Sequence, residues 1–303
     1  MKLHDLHVLM AVAQTGSMSQ AAALLNTGQP AISRAIAALE QTLGVRLLDR
    51  DRRGVTPTEY GRAVLSGGTA VFDDLRQTVK NIASIANPEA GEIRIGSNIA
   101  LAASFTSAVV DRLSRRYPRM KFHLITGFTE VLLKELQQRS LDVLIARKYG
   151  SVEEDQANFE FLFDDVCVVA AGAQSPWTRR RRITLADLVN EPWVLPPMGS
   201  GIISTALEAF RAAGIDYPRA TVFTDSPQVR MNLLATGRYL TIFADSTLRF
   251  PTKRSEIAVL PVDLPRARFP NGIVTLKNRT LSRAAQLFIG VARDVARPLA
   301  NRK

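Results

Sequence analysis

The stretch GSMSQAAALLNTGQPAISRAIAALEQTLGVRLL, residues 16–48, determines how the N-terminal part of this chain folds. Ser17 precedes an alanine-rich run, a short polar turn follows at 26–28, and apolar residues then recur every three or four positions up to Leu43. Serine is a favoured helix cap, and Gly16 and Gly44 are helix stops. With an amphipathic first helix before it, this stretch predicts a helix-turn-helix, with the second helix at 18–25 and the third at 29–43.

The third helix has an apolar face and a polar face. Its apolar face is formed by Ile32, Ile36, Leu39 and Leu43, while Gln29, Ser33 and Arg34 lie on the other side, near the N-terminal end. In a recognition helix this end contacts bases in the major groove, where glutamine can form two hydrogen bonds with an adenine edge. A polar helix face alone is usually just solvated, so the DNA interpretation depends on the order of the elements.

A basic hairpin is predicted after the third helix. Residues 45–48 and 54–55 indicate two short strands, and the tip between them is Arg50-Asp51-Arg52-Arg53. Such a tip can contact backbone phosphates or the minor groove.

Taken in order, these segments resemble the LysR-type transcriptional regulators. Residues 16–25, 29–34, 43–50 and 56–61 are similar to the family's second helix, recognition helix, wing and passage into the linker helix. Gly28 stands where the family usually has Ser or Thr, which removes a capping hydroxyl that Thr27 is placed to replace. The resemblance implies DNA contacts at Thr27, Gln29, Pro30, Ser33, Arg34, Arg50 and Arg53.

A long linker helix is predicted up to about residue 86. Thr56 with Glu59 fits a capping box, whereas the family pattern favours Thr58 as the cap, and both registers stay open. The helix carries one apolar seam, which suits either a dimer or packing against the protein's own sensor domain: Val64, Val71, Leu75, Ile82 and Ile85. The glycine pair at 67–68 interrupts it, for close approach or for a bend.

Apolar strands alternate with helices from residue 93 to the C-terminus, which predicts mostly parallel sheets covered by helices on both faces. The resemblance implies two lobes like those of periplasmic binding proteins, with crossings near 163–166 and 266–269. We therefore expect an α+β multidomain protein with an all-α winged helix-turn-helix (1–58), a linker helix and hinge (59–90), and an α/β effector domain (91–303). Lobe I comprises 91–164 and 267–303, and lobe II comprises 165–266.

In such folds, ligands bind at the carboxyl ends of strands and at helix N-termini, between the lobes. This places the candidate effector site at Ser97, Asn98, Thr126, Gly127, Arg147, Ser200, Gly201 and Asp225. Each is equally well explained as a cap or a turn. Arg147 and the helix starts favour an organic acid, whereas Asn98 and Asp225 suit a hydroxyl-rich, sugar-like ligand. The segment 276–282 resembles a subgroup responsive to sugars or aromatic acids.

Charge and cysteine content set further limits. The chain has 39 Lys and Arg against 28 Asp and Glu, a net charge of +11, yet residues 1–60 hold six basic and five acidic residues. We interpret the run 179–182 as a solvated loop and the single Cys167 as a core residue. Three scattered histidines predict no metal site, and we expect no cofactor. No apolar stretch predicts a signal peptide or a membrane span, so a cytoplasmic protein is expected.

Three classes of function compete. An enzyme is disfavoured because no paired carboxylates, triad or metal cluster is present. A protein that only captures a solute is disfavoured by the first sixty residues and by the missing leader. A DNA-binding regulator remains, with double-stranded DNA, a small-molecule effector and RNA polymerase as partners. We expect a homodimer that assembles further into a homotetramer.

Overall fold

The computed structural model consists of two compact units, Met1–Val79 and Lys80–Lys303. It describes residues 1–51, 54–87, 89–148, 156–197, 201–218, 220–250, 256–264 and 268–300. The division falls inside the linker helix. Among the described residues, no helix is both long enough and apolar enough to cross a membrane.

The N-terminal unit begins with three helices, α1 (Leu3–Thr15), α2 (Met18–Leu24) and α3 (Gln29–Leu43). The Ser17 hydroxyl accepts a hydrogen bond from the Gln20 N–H at 3.4 Å and caps α2, as predicted. Gly16 and Gly44 end their helices with positive φ angles of 64° and 70°, a conformation that favours glycine. The predicted apolar side of α3 is buried in a core shared by the three helices, except for Leu43, which is exposed.

A two-stranded wing follows, formed by β1 (Leu48–Asp51) and β2 (Gly54–Pro57). The first strand begins three residues later than predicted, so Arg50 lies within β1 rather than at the tip, and the second begins at Gly54 as predicted but is two residues longer. The Glu40 carboxylate of α3 accepts the N–H groups of Leu47 and Leu48 at 2.8 and 3.3 Å. This side chain attaches the wing to the third helix.

The linker helix α4 spans Glu59–Ala86. The Thr58 hydroxyl accepts the Gly61 N–H at 3.0 Å, so Thr58 is the cap and the Thr56 register is wrong. The glycine pair at 67–68 does not break the helix. A β-carbon on Gly68 would lie 2.8 Å from Leu6 Cδ1, so this glycine lets α1 pack closely against α4.

Substitution of Gly61 by alanine is expected to destabilise the N-terminal unit by about 1–3 kcal/mol or more, because overpacking a rigid contact forces the backbone apart. A β-carbon there would lie 2.0 Å from the carbonyl oxygen of Leu47, an oxygen that already accepts the Thr58 N–H. Gly67 is the matched control in the same helix, since a β-carbon there meets nothing within 4 Å. Urea unfolding should show a loss for Gly61→Ala and no loss for Gly67→Ala, and equal stability of the two variants would refute the packing argument.

The C-terminal unit contains nine strands. They are β3 (Ala90–Asn98), β4 (Arg119–Gly127), β5 (Val143–Arg147), β6 (Ala157–Gly172), β7 (Trp193–Leu195), β8 (Ala220–Phe223), β9 (Leu240–Ala244), β10 (Ile257–Val259) and β11 (Arg268–Leu276). Their order is β4-β3-β5-β11-β6-β9-β7-β8, and β10 pairs with β6. The β3, β4 and β5 pairs are parallel, as are those of β7, β8 and β9, whereas β6 and β11 run antiparallel to their neighbours. These two long strands join the lobes.

Helices cover the sheet on both faces. They are α5 (Ile99–Leu101), continued by a π-helical turn (Ala102–Thr106) into α6 (Ser107–Arg116), then α7 (Thr129–Gln137), α8 (Leu185–Leu188), α9 (Gly201–Ala212), α10 (Pro227–Ala235), α11 (Asp245–Arg249) and α12 (Arg283–Ala300). One large core contains Phe105 and Phe288 in the first lobe, and another contains Trp193 and Phe210 in the second. Two separate cores make two lobes.

A buried ion pair holds the residue that precedes β5. Arg279 and Asp142 lie 2.9 Å apart with both side chains almost fully buried, and Asp142 also accepts the Arg94 N–H at 2.9 Å. The pair attaches the segment after β11 to the start of β5, so these residues hold lobe I together.

Candidate functional site

The N-terminal end of α3 presents an exposed polar face. Thr27, Gln29, Pro30 and Arg34 are exposed and Ser33 is half-buried. Gln29 Oε1 accepts a hydrogen bond from the Ser19 hydroxyl at 3.3 Å, and Arg34 Nε donates to the Pro30 carbonyl at 3.3 Å. Five of the seven predicted DNA-contacting residues therefore lie together on one face.

No side chain caps α3 in the described part of the unit, so Thr27 does not replace the missing hydroxyl at Gly28. Asn26 makes the turn in a left-handed conformation with φ of 50°, which asparagine tolerates better than most residues. Arg50 is exposed on β1, and Arg53 lies outside the described residues. The structure thus describes all five predicted residues at the start of α3 and one of the two in the wing.

The predicted apolar seam of α4 is mostly exposed. Val71, Leu75, Ile82 and Ile85 are 41%, 46%, 61% and 78% exposed, and Val79, which the sequence analysis missed, is 67% exposed. Val64 differs from these residues because it is half-buried, against the core of the helix-turn-helix. A contiguous apolar stripe on a surface helix is typical of a helix that pairs with another.

Strand ends align at one edge of lobe I. Ser97 on β3 stands opposite Thr126 on β4, and Asn98 stands opposite Gly127. Ser97 is fully buried, with its hydroxyl 2.8 Å from that of Thr106, while Asn98 Oδ1 caps α5 by accepting the Ala100 N–H at 3.0 Å. Both polar groups are already used by the fold, and the Thr126 side chain is exposed.

Arg147, at the end of β5, is the buried cation of this edge. It is 4% exposed, and its guanidinium carbon lies 3.4 Å from the centroid of the Phe269 ring. Asp165 is close enough for Arg147 to lower its pKa, although burial has the larger effect and raises it. The Asp165 carboxylate accepts hydrogen bonds from the Ser246 N–H and hydroxyl and from the Val166 N–H, at 3.1, 2.5 and 2.9 Å.

The second lobe contributes fewer of the predicted residues. Gly201 begins α9, beside Cys167 on β6, whose sulfur lies 4.0 Å from the Ile202 carbonyl oxygen. Asp225 is exposed beyond the edge strand β8 and acts electrostatically on the buried Arg230 of α10, whose pKa burial lowers to about 10. Ser200 lies outside the described residues. The structure therefore places the predicted residues of lobe I at the ends of three neighbouring strands: Ser97, Asn98, Thr126, Gly127 and Arg147. Gly201 and Asp225 belong to lobe II.

Asn271 is a polar residue that the sequence analysis missed. It lies on β11, is fully buried, and stands directly opposite Arg147 on β5. The tripeptide Pro270-Asn271-Gly272 has the composition of a turn, so the local sequence does not indicate the first half of this strand. Asn271 is recognised as part of the site only from the pairing of β11 with β5 and β6, which cannot be inferred from the local sequence.

The single cysteine and the arginine run 179–182 lie where core and surface residues are expected. Cys167 is buried, and burial raises the pKa of its thiol to about 12, so it stays protonated. Arg179, Arg180, Arg181 and Arg182 are all exposed. Within the described residues, no group of three or more His, Cys, Asp or Glu side chains could hold a metal ion.

Comparison with known proteins covers both units. A profile described as "Bacterial regulatory helix-turn-helix protein, lysR family" matches residues 3–62, and one described as "LysR substrate binding domain" matches residues 86–297. The regulator GbpR of Azospirillum brasilense is 28% identical over 97% of this chain and 86% of its own length. The dual regulator GltC of Bacillus subtilis is 27% identical over 95% of each chain.

Solved structures show the same fold. A full-length OxyR variant from Pseudomonas aeruginosa superimposes with a TM-score of 0.70 at 21% identity, covering 100% of this chain and 99% of its own. CbnR, a LysR family transcriptional regulator, gives 0.62 at 20% identity over 98% and 99%, and CbnR has also been solved with its target DNA. Since the effector-domain profile alone spans more than half of the sequence, this chain belongs to the LysR family of bacterial transcriptional regulators, non-enzymatic proteins that pair a DNA-binding helix-turn-helix with an effector-binding domain.

Proposed function

We propose that this regulator responds to a small organic acid bound between its two lobes, with Arg147 providing the positive charge that holds the carboxylate. The observation that carries the proposal is the burial of the Arg147 guanidinium against Phe269. Arginine matches a carboxylate with two parallel hydrogen bonds, and such pairs are stronger when shielded from water. Ser97, Asn98, Thr126, Gly127, Ser200, Gly201 and Asp225 remain proposed as the surrounding residues.

Asp165 is a charged neighbour of Arg147 whose hydrogen-bond donors lie in lobe II. Its carboxylate accepts three hydrogen bonds from Ser246 and Val166, so its oxygens are engaged by the backbone and a hydroxyl of lobe II. Its raised pKa also shows that burial disfavours its charged form. A bound acid would supply a further negative charge to Arg147, which favours an anionic over a neutral, sugar-like effector.

The effector proposal is tested with Arg147→Gln. The probes are propionate, lactate, succinate, malate, benzoate and salicylate, with galactose as a neutral sugar. We expect at least one acid to raise the melting temperature of the wild-type protein by about 5 °C or more at a hundredfold excess over its Kd. Arg147→Gln should bind that acid on the order of 10–100-fold more weakly, because a charge-assisted hydrogen bond is lost.

Arg238→Gln is the matched control. Arg238 is also an arginine over an aromatic ring, 5.4 Å from the Tyr239 centroid, but it is exposed. It should bind acids like the wild type. Stabilisation by galactose alone, or equal acid binding by Arg147→Gln and the wild type, would contradict the organic-acid proposal.

For the DNA-binding unit, we propose that Thr27, Gln29, Pro30, Ser33, Arg34, Arg50 and Arg53 contact the operator. Two copies paired through the exposed α4 stripe would place two recognition helices on the half-sites of a pseudo-palindrome, and a further pairing would give the homotetramer. Effector binding would favour one relative position of the lobes and so alter contact with RNA polymerase, since a ligand shifts only states that it binds unequally. The proposed location is the cytoplasm, where the DNA is, and no cofactor beyond the effector is proposed.

A further inference from the structure

Asn271 is a buried amide to which the described residues offer no hydrogen bond. It is 0% exposed, and neither Nδ2 nor Oδ1 has a hydrogen-bond partner in the part of the chain that the structure describes. Nearly all buried polar groups in folded proteins are hydrogen-bonded, because an unmet group has lost its water without compensation. A buried amide whose hydrogen-bonding groups are unmet therefore needs an explanation, and a bound ligand that supplies the missing hydrogen bonds is one.

The position of Asn271 relates it to the proposed anion site. It stands directly opposite Arg147 on β5 and Phe163 on β6. Directly opposed residues of paired strands point to the same face of the sheet, and so do residues two apart in one strand. Asn271, Arg147, Phe163 and Phe269 therefore share one face, with the Phe269 ring against the Arg147 guanidinium. The β6–β11 pairing shifts register between Asn271 and Gly272, an irregularity of the kind that redirects side chains near binding sites.

We infer that Asn271 determines effector specificity by binding a hydroxyl group on a hydroxycarboxylic acid whose carboxylate is held by Arg147. This inference rests on the proposed function. An amide offers donors at Nδ2 and an acceptor at Oδ1, and a hydroxyl is both acceptor and donor, so one ligand group satisfies both sides. A plain carboxylate oxygen would meet only the donors, and a methylene group neither. Because Asn271 and Arg147 are both buried, the lobes must separate for the acid to reach them.

The first test needs no ligand. Valine and threonine have nearly the same shape, and the threonine hydroxyl is the only polar difference. If Asn271 has no role in the fold, Asn271→Val should melt at least as high as the wild-type protein and higher than Asn271→Thr. If Asn271→Val instead melts below both, the amide is hydrogen-bonded within the protein and the inference is overturned.

The second test uses pairs of acids that differ by one hydroxyl: lactate with propionate, malate with succinate, and salicylate with benzoate. We expect one hydroxy acid to bind the wild-type protein at least tenfold more tightly than its partner by calorimetry. Asn271→Val should abolish this ratio while keeping the weaker binding, and Asn271→Thr should keep part of it.

The outcomes separate the two proposals. Acids that bind equally within every pair, in both the wild type and Asn271→Val, overturn the role of Asn271 and leave the organic-acid proposal standing. A preference that persists in Asn271→Val also overturns it. If no acid binds the wild-type protein, or if Arg147→Gln binds the acids as tightly as the wild type does, the proposed function fails and the inference falls with it.

Discussion

Replacement of Gln29 by alanine is expected to weaken binding to the operator by about 30-fold to 10⁴-fold, with little change for random DNA of equal length. One good bidentate base contact is worth about 1–3 kcal/mol, and a symmetric dimer makes it twice. Gln29 is exposed and its hydrogen bond with Ser19, at 3.3 Å, lies at the surface, so the fold should tolerate the change. The operator is first identified by selecting genomic fragments with the purified protein, and affinities are then compared by fluorescence anisotropy at fixed salt.

Gln41→Ala is the matched control, since Gln41 is an exposed glutamine at the other end of the same helix. It should bind the operator like the wild-type protein. Salt dependence separates base contacts from phosphate contacts: Gln29→Ala should keep the slope of log affinity against log salt, whereas Arg34→Gln should reduce it by about one per phosphate lost. If Gln29→Ala still discriminates its operator as the wild type does, α3 does not read bases through this residue.

Introducing glutamate at both Leu75 and Ile82 is expected to raise the dissociation constant of the dimer by about 10⁴-fold or more. A fully buried leucine or isoleucine stabilises an interface by about 1.5–3 kcal/mol, and two positions in two protomers remove four such side chains. Both are strongly exposed in the single chain, at 46% and 61%. Sedimentation at micromolar concentration should then show monomers, and operator affinity should fall because one recognition helix contacts only one half-site.

Ala83→Glu supplies the control for this variant. Ala83 is exposed on the same helix, one residue after Ile82 and therefore about 100° from it around the helix axis, at the margin of the stripe beside Val79. It should remain dimeric. A double glutamate variant that sediments as the wild type would show that the protomers associate through a different surface.

The helix-turn-helix was predicted almost residue by residue because its signals are local. Ser17 caps one helix, and glycines in a left-handed conformation end two others, and each signal acts within a few residues. Even here, a long-range contact was missed. Glu40 holds the wing through N–H groups seven and eight residues away, and nothing in the local sequence predicts that its carboxylate points there.

The candidate effector site was predicted only in part, because its decisive contacts join residues more than a hundred positions apart. Arg147 was predicted from its place after a strand, but its stacking on Phe269 depends on the pairing of β5 with β11. The composition of the Asn271 segment favours a turn, and strand pairing on both sides overrides that preference. The cap role of Asn98, in contrast, is local, since its side chain accepts an N–H group two residues away.

The central position of β11 has a consequence for the order in which the protein folds. Residues 268–276 insert between β5 and β6, and α12 then completes the core of the first lobe with Phe288. During synthesis the sheet must wait for a strand made more than a hundred residues after β5, whereas Met1–Val79 needs only its own contacts. Proteins rich in local contacts fold faster than those dominated by distant pairings. On a translating ribosome, the DNA-reading unit should therefore reach its native form first. At that stage β5 and β6 of the sensor still lack the strand that pairs with both of them.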